Sequence, residues 1–530
     1  MTADWNPPEA CSPAELALLK LCKKQPIWSF LRRYRHRILD AEMREFLAGM
    51  YASGSRRGGS PVAPERLALA MLLQVLFGTP DHEVPTLTVA DRRWQMVLDC
   101  DGATRPAMSQ ATVFAFRERA RANGLADKLL EKTVELARET KGFSDRRLRA
   151  LIDSSPLWGA GRVEDTFNLL GRAIGQLVEV AAREAGVEPS TVAAELDLSV
   201  VGASSVKAAL DVDWRRGEAR EAALSALLGQ VDRVRAWLGR QFSESELEQP
   251  PIGVALALVD EIVAQDTEPH PDGPEGASAR RIRQGGEDRR ISVSDPDMRH
   301  GRKSKTKLFH GYKRHVVVDA DIPGLIHAVE VVPANAREHE AVPVLVQRVE
   351  ARGYDLAEAH VDRGYLAAEV LHDRRASGLV LLTKPPTLPR TGRYTKYDFD
   401  IDYEAKALSC PGGQTIPYRG DGKSHRFKAS ICAACTRRSQ CTNASPTHGR
   451  NLTTHKHERF FRDMTVELGT PKGRALRRQR VPVEHALGRL GQVQGTRARF
   501  RGLDKNAFDT TRSAAAANLY VLDRLWRKAA

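Results

Sequence analysis

The sequence predicts a mixed α/β fold with helical additions, and three observations carry that prediction. Apolar residues recur at helical spacing before residue 145 and again from about 165 to 264. The period drops to two from residue 311. Strand and helix patterns then alternate as far as residue 385, the signature of strands in one sheet covered by helices.

Taken in order, residues 1–145 read as a helical N-terminal region for DNA binding or dimerisation, with plain helix packing as the alternative, LALAMLLQVLFG (67–78) as a buried helix and Ser109 capping QATVFAFRERA. RRLRALIDSS (146–155) reads as a strand that begins basic, turns apolar and ends at Asp153. Residues 165–285 are an insertion, helical and Ala/Leu-rich at first. It runs into DTEPHPDGPEGASARRIRQGGEDRR (266–290), whose Pro, Gly and charge read as a linker or exposed loop. GYKRHVVVDADIPGLIHAVEVVP (311–333) is a hairpin around DADIPG, which makes Asp319 and Asp321 turn acids. AREHEAVPVLVQRVEARG (336–353) reads as a helix, AEAHVD (357–362) as a strand, YLAAEVLHDRRASG (365–378) as a helix and LVLLTKP (379–385) as a strand. Residues 386–465 are an irregular, cysteine-containing insertion, and residues 466–530 return basic and then helical.

A chain of 530 residues exceeds one ordinary core. Its 81 Lys and Arg against 67 Asp and Glu give a formal charge of +14, which points to a polyanion such as nucleic acid. The charge is clustered. Lys472 to Gly502 holds nine basic residues and one acid, Glu484, and Met298 to His315 holds seven and none. Such clusters suit phosphate contacts, with Arg302, Lys303, Lys305, Lys313, Arg363, Arg480, Arg489, Arg497, Arg499 and Arg501 as the candidates. No stretch reaches the roughly 18 apolar residues of a membrane span, and the start lacks a signal-peptide pattern. A cytoplasmic, nucleoid-associated protein is expected.

Asp153, Asp362 and Glu484 are far apart in sequence, so only folding could join them. Ionised together at pH 7 they repel. A pair of Mg²⁺ or Mn²⁺ ions relieves that repulsion, and two such ions about 3.5–4 Å apart can drive phosphodiester attack. This explains one acid inside a basic cluster. Cys410, Cys432, Cys435 and Cys441 fall in CPGG…CAACTRRSQC, a candidate structural Zn²⁺ set, with reduced thiols as the alternative and an iron–sulfur cluster as a third option. RTGRYTKYDF (390–399) interleaves basic and aromatic residues, and strand packing explains its tyrosines as well as base contact does. Trp158 reads as a core residue.

The ordered pieces LIDSSP, SDPDMRHGRKSKTKLFHGYKRHVVVD, HVDRGY and RVPVEHALGRL, followed by GTRARFRGLDKNAFDTTRSAAAANL, resemble the DDE transposases of bacterial insertion sequences. That resemblance covers the chain except residues 165–285. It implies an RNase H-like mixed sheet flanked by helices over 146–385 and 466–530, interrupted by the two insertions. It makes Asp153, Asp362 and Glu484 the catalytic, metal-binding acids. Arg480 matches the family's Arg four residues before the third acid. Arg477 and Gly491 stand where the family has Tyr and Lys, with Arg489 as the candidate substitute. Pro482 suits the first turn of a helix, which would leave Arg480 outside the helix bearing Glu484. The implied function is metal-dependent cleavage of an element's inverted-repeat ends and their transfer to target DNA, by at least a homodimer when two ends are paired. The competing expectations are a non-catalytic DNA-binding product of a decayed element and a nuclease without strand transfer.

Overall fold

Strand β1 (Arg147–Trp158) is the axis of the molecule. A computed structural model describes residues 5–51, 62–143, 146–269, 280–283, 285–286, 288–304, 306–384 and 392–529, apart from the side chains of residues 472, 474, 477 and 529. Among these residues β1 belongs to a six-stranded sheet with β2 (Arg299–Arg302), β3 (Leu308–Asp319), β4 (Ile326–Pro333), β5 (Asp355–His360) and β6 (Val380–Leu382). β1 runs antiparallel to β3, with Asp153 opposite Val316, and parallel to β5, with Leu151 opposite His360. β2 and β4 share the far edge of β3, and β6 lies parallel beyond β5. The mixed sheet is consistent with the expected RNase H-like class. Val316, Val317 and Val318 are all buried, as β-branched residues are where helices cover both faces.

The covering helices are tied to the sheet by small and polar residues as well as by apolar ones. Ala514–Ala517 of the last helix (Leu503–Ala529) are buried against the helix Leu125–Thr140 and against β4. Asn518 of the same helix accepts from the Ile326 N–H at 2.8 Å and donates to Ile326 O at 2.9 Å. One continuous apolar core therefore runs from Trp5 through the sheet to Trp526. Asp319 is a buried anchor and not a surface turn acid. Its Oδ2 pairs with Arg138 Nη1 at 2.8 Å, and its Oδ1 accepts two N–H groups of the β3–β4 turn. Burial works against this carboxylate, yet His327, those N–H groups and Arg138 hold it below the usual carboxylate range. The SDPD motif has a parallel role: Asp295 accepts from Tyr312 Oη at 2.5 Å and Gly502 N at 3.1 Å, and Asp297 accepts from Leu503 N at 2.7 Å. It thereby caps the last helix.

The helices Thr166–Glu184, Gly217–Gln241 and Ile252–Asp266 bury a separate core that includes Trp237 and Leu224. The stretch read as a linker is partly ordered, because Thr267–Pro269 pairs with Arg280–Ile282; the residues between them lie outside the described set. Between residues 392 and 457 the elements are short strands and two short helices around six buried side chains: Phe399, Ile401, Leu408, Tyr418, Phe427 and Leu452. Among the described residues no helix is long and apolar enough to cross a membrane.

Candidate active site

Three elements converge where β1 and β5 end. Asp153 lies on β1, half-buried. β5 stops at His360, and Asp362 follows at the N-cap of a short 3₁₀ turn, Arg363–Tyr365. The helix Val481–Gln494 starts beside them with Pro482 in its first turn, so Arg480 is its N-cap and lies just outside it. From there the guanidinium bridges two strands. Its Nη2 is 3.0 Å from Asp153 Oδ2 and its Nη1 is 3.1 Å from Asp362 Oδ1. Glu484, one turn into the helix, lines the same cleft of about 180 Å³, and so does Lys384, whose Nζ is 3.9 Å from Asp362 Oδ1.

Burial raises the Asp153 carboxyl above its usual range, and the negative charges of Asp362 and Glu484 add to the rise. Arg480 and the Ser154 N–H, 2.8 Å from Asp153 Oδ1, oppose it. The site is thus a set of mutually repelling carboxylates partly neutralised by a guanidinium. Hard oxygen donors of this kind suit divalent cations, and Arg480 stands in as the cation between Asp153 and Asp362. As the side chains are placed, no group of three or more His, Cys, Asp or Glu among the described residues is arranged to hold an ion.

Two contributors were not foreseen from sequence. Lys384 arrives from the end of β6. Glu338 arrives from the 3₁₀ turn Glu338–Ala341, and its Oε1 accepts from Ser154 Oγ at 3.2 Å. Burial raises the Glu338 carboxyl, with Asp153 and Asp362 contributing and Ser154 and Lys313 opposing.

The basic residues are dispersed. Of the candidates among the described residues, only Arg480 lines the cleft. Lys313 is half-buried, with Nζ 2.6 Å from Ala336 O. Arg302, Lys303, Arg363, Arg497, Arg499 and Arg501 are exposed, while Lys305 lies outside the described residues. Arg489 points elsewhere. It lies over the Tyr520 ring, 5.0 Å from its centroid, in a cavity of about 690 Å³ with Lys24, Arg524 and Arg527. At Gly491 the buried Arg314 guanidinium packs against the helix. Trp158 is 39% exposed at the end of β1, against the core placement expected for it. Of RTGRYTKYDF, residues 390 and 391 lie outside the described residues, Tyr394 donates to Gln440 Oε1 at 2.9 Å, and Lys396–Asp398 form a 3₁₀ turn before a strand that begins at Asp400.

Cys410, Cys432, Cys435 and Cys441 line one pocket of about 470 Å³. The Gln414 N–H points at Cys410 Sγ and the Arg450 N–H at Cys432 Sγ, both at 3.4 Å. Such N–H groups stabilise thiolates, as a thiolate-bound ion requires. Burial raises the Cys441 thiol, the Arg450 charge lowers it, and the other three cysteines raise it further.

Residues 409–523 match the family described as Transposase DDE domain. The matched stretch contains Arg480, Glu484 and the four clustered cysteines, and the resemblance to DDE transposases stands on it. That family implies an enzyme of nuclease or transposition chemistry acting on DNA, and its members typically use divalent metal ions. No curated protein and no solved structure gives a match.

Proposed function

We propose that this chain is a transposase that binds the inverted-repeat ends of an insertion sequence, cleaves them and joins them to target DNA. The observation that carries the proposal is the cleft itself: Asp153, Asp362 and Glu484 open onto one space, and Arg480 spans the first two. The family match on the third element agrees with it. Asp153, Asp362 and Glu484 are the residues that would hold two Mg²⁺ or Mn²⁺ ions. When bound, such ions activate the attacking oxygen and stabilise the leaving one. Each step forms one P–O bond as it breaks another, so no covalent protein–DNA link is needed. Arg480 leaves its carboxylates for a phosphate oxygen as DNA enters, exchanging one anion for another. Lys384 borders the same cleft and adds positive charge for the backbone. The exposed arginines at 497, 499 and 501 hold the flanking duplex. Pairing of two ends calls for a homodimer or larger assembly. The four cysteines hold a structural Zn²⁺ that orders the insertion.

The test is cleavage of DNA carrying the element's ends, with Mg²⁺, by wild type and Asp362→Asn. Wild type should cut and Asp362→Asn should bind with similar affinity without cutting. Cutting by Asp362→Asn removes that residue from the site. A wild type that binds ends but never cuts makes the protein a non-catalytic binder, and one that cuts without joining makes it a nuclease.

A further inference from the structure

Glu338 touches both chain segments that carry the first two acids. On one side Ser154, the residue directly after Asp153, donates to it. On the other side its carboxylate lies against Gly364, two residues after Asp362, where an added Cβ would collide with Glu338 Oε2. The surroundings fix this arrangement. Ser154 is cross-strand partner to His315, and buried His315 Nδ1 is 2.8 Å from the hydroxyl of buried Tyr365, next to Gly364. The segment leading into the Glu338 turn is held by Lys313, which donates to Ala336 O. A carboxylate is otherwise an odd choice here. It faces Asp153 and Asp362, so an apolar or amide side chain would avoid like-charge repulsion. What Glu338 offers is a fixed acceptor between strand β1 and the turn after β5, two segments that must keep their spacing.

We propose that Glu338 is a positioning residue for the acid site. It sets the Asp153 segment against the Asp362 segment through the Ser154 hydroxyl and the bare surface of Gly364, and contacts neither DNA nor ion. The proposal rests on the transposase reading above. Outer partners of metal-binding side chains typically matter by about 10–100-fold in affinity or activity.

The experiment measures Mn²⁺ affinity by calorimetry, and kcat, KM and DNA affinity in end cleavage, for wild type, Glu338→Ala, Glu338→Gln and Gly364→Ala. Glu338→Ala should lose about 10–100-fold in Mn²⁺ affinity and in kcat while DNA affinity holds. Glu338→Gln keeps the acceptor oxygen and should stay close to wild type. Gly364→Ala displaces the carboxylate and should copy Glu338→Ala. Should Glu338→Ala fail to fold, Ser154→Ala removes the same hydrogen bond from its other end and must show the same losses. The proposal is overturned by a Glu338→Ala like wild type, or by a Glu338→Gln as impaired as Glu338→Ala, which would assign the effect to charge. A wild type that binds Mn²⁺ but cuts no DNA refutes the transposase reading alone, and the Mn²⁺ series still decides Glu338. A wild type that does neither overturns both.

Discussion

The carboxylate cleft and the cysteine pocket are each assembled from residues scattered along the chain, but they are held by different means. Asp153 rides on β1, Asp362 lies just past the end of its parallel neighbour β5, and Glu484 rides on a helix packed against β1. Their spacing is therefore set by the main core, whatever occupies the cleft. Cys432 and Cys441 sit on two short helices and Cys410 and Cys435 in the loops beside short elements, around six buried side chains. So small a core supplies little stability, and small units of this kind depend on staples. Removing what binds should empty the first site and unfold the second.

The largest expected effect follows from that contrast. Stripping the proposed zinc with a strong chelator, or substituting Cys435→Ser, should expose the amides of residues 392–457 to hydrogen exchange while β1 and β5 stay protected. Zinc binding in small modules is worth on the order of 10 kcal/mol, enough to decide folding. Unchanged exchange across the insertion would break the comparison. Next in size is Asp319→Ala, which strands Arg138 in the main core. Both side chains are almost fully buried, at 0% and 4% exposed, so a loss of about 3–5 kcal/mol is expected in denaturant unfolding. The pH dependence has a definite sign. The Asp319 carboxyl is lowered on folding, so its stabilisation is full above the ordinary carboxylate value of about 3.9. It is lost as pH falls through the lower folded value, and Asp319→Ala should flatten that acid limb.

Smaller effects probe the cleft. Arg480→Gln should cost about 1 kcal/mol, because the pairs are partly solvent-exposed, at 18% for Arg480 and 48% for Asp362. Thermal unfolding should show Mg²⁺ raising Tm more in Arg480→Gln than in wild type, since the ion no longer competes with the guanidinium. An equal rise in both would deny that Arg480 occupies the cation position. Smallest is Lys384→Ala, whose half-exposed ammonium is 3.9 Å from Asp362, with a cost of about 0.3 kcal/mol or less.

Legibility follows the range of the signal. The β3–β4 hairpin was readable because its two-residue period and turn residues are local. Asp153, Asp362 and Glu484 each stand in a short, characteristic run of residues, and Pro482 already placed Arg480 outside its helix. Glu338 was invisible because AREHEAVP reads as a helix start, and nothing local marks an acid that reaches Ser154 across the fold. Trp158 looked apolar enough for the core, but β1 outruns its cover. Arg489 could have been set apart from Glu484 in advance: five residues along a helix turn it about 140° away.

The central claim is that Asp153, Asp362 and Glu484 form one cation site. It is tested most directly by calorimetric Mn²⁺ titration of wild type, Asp153→Asn, Asp362→Asn and Glu484→Gln, each shown to be folded. Wild type should bind, and each single substitution should weaken binding at the same site by about 10-fold or more, as loss of an ionised ligand does. Three variants that bind Mn²⁺ as tightly as wild type would contradict the account.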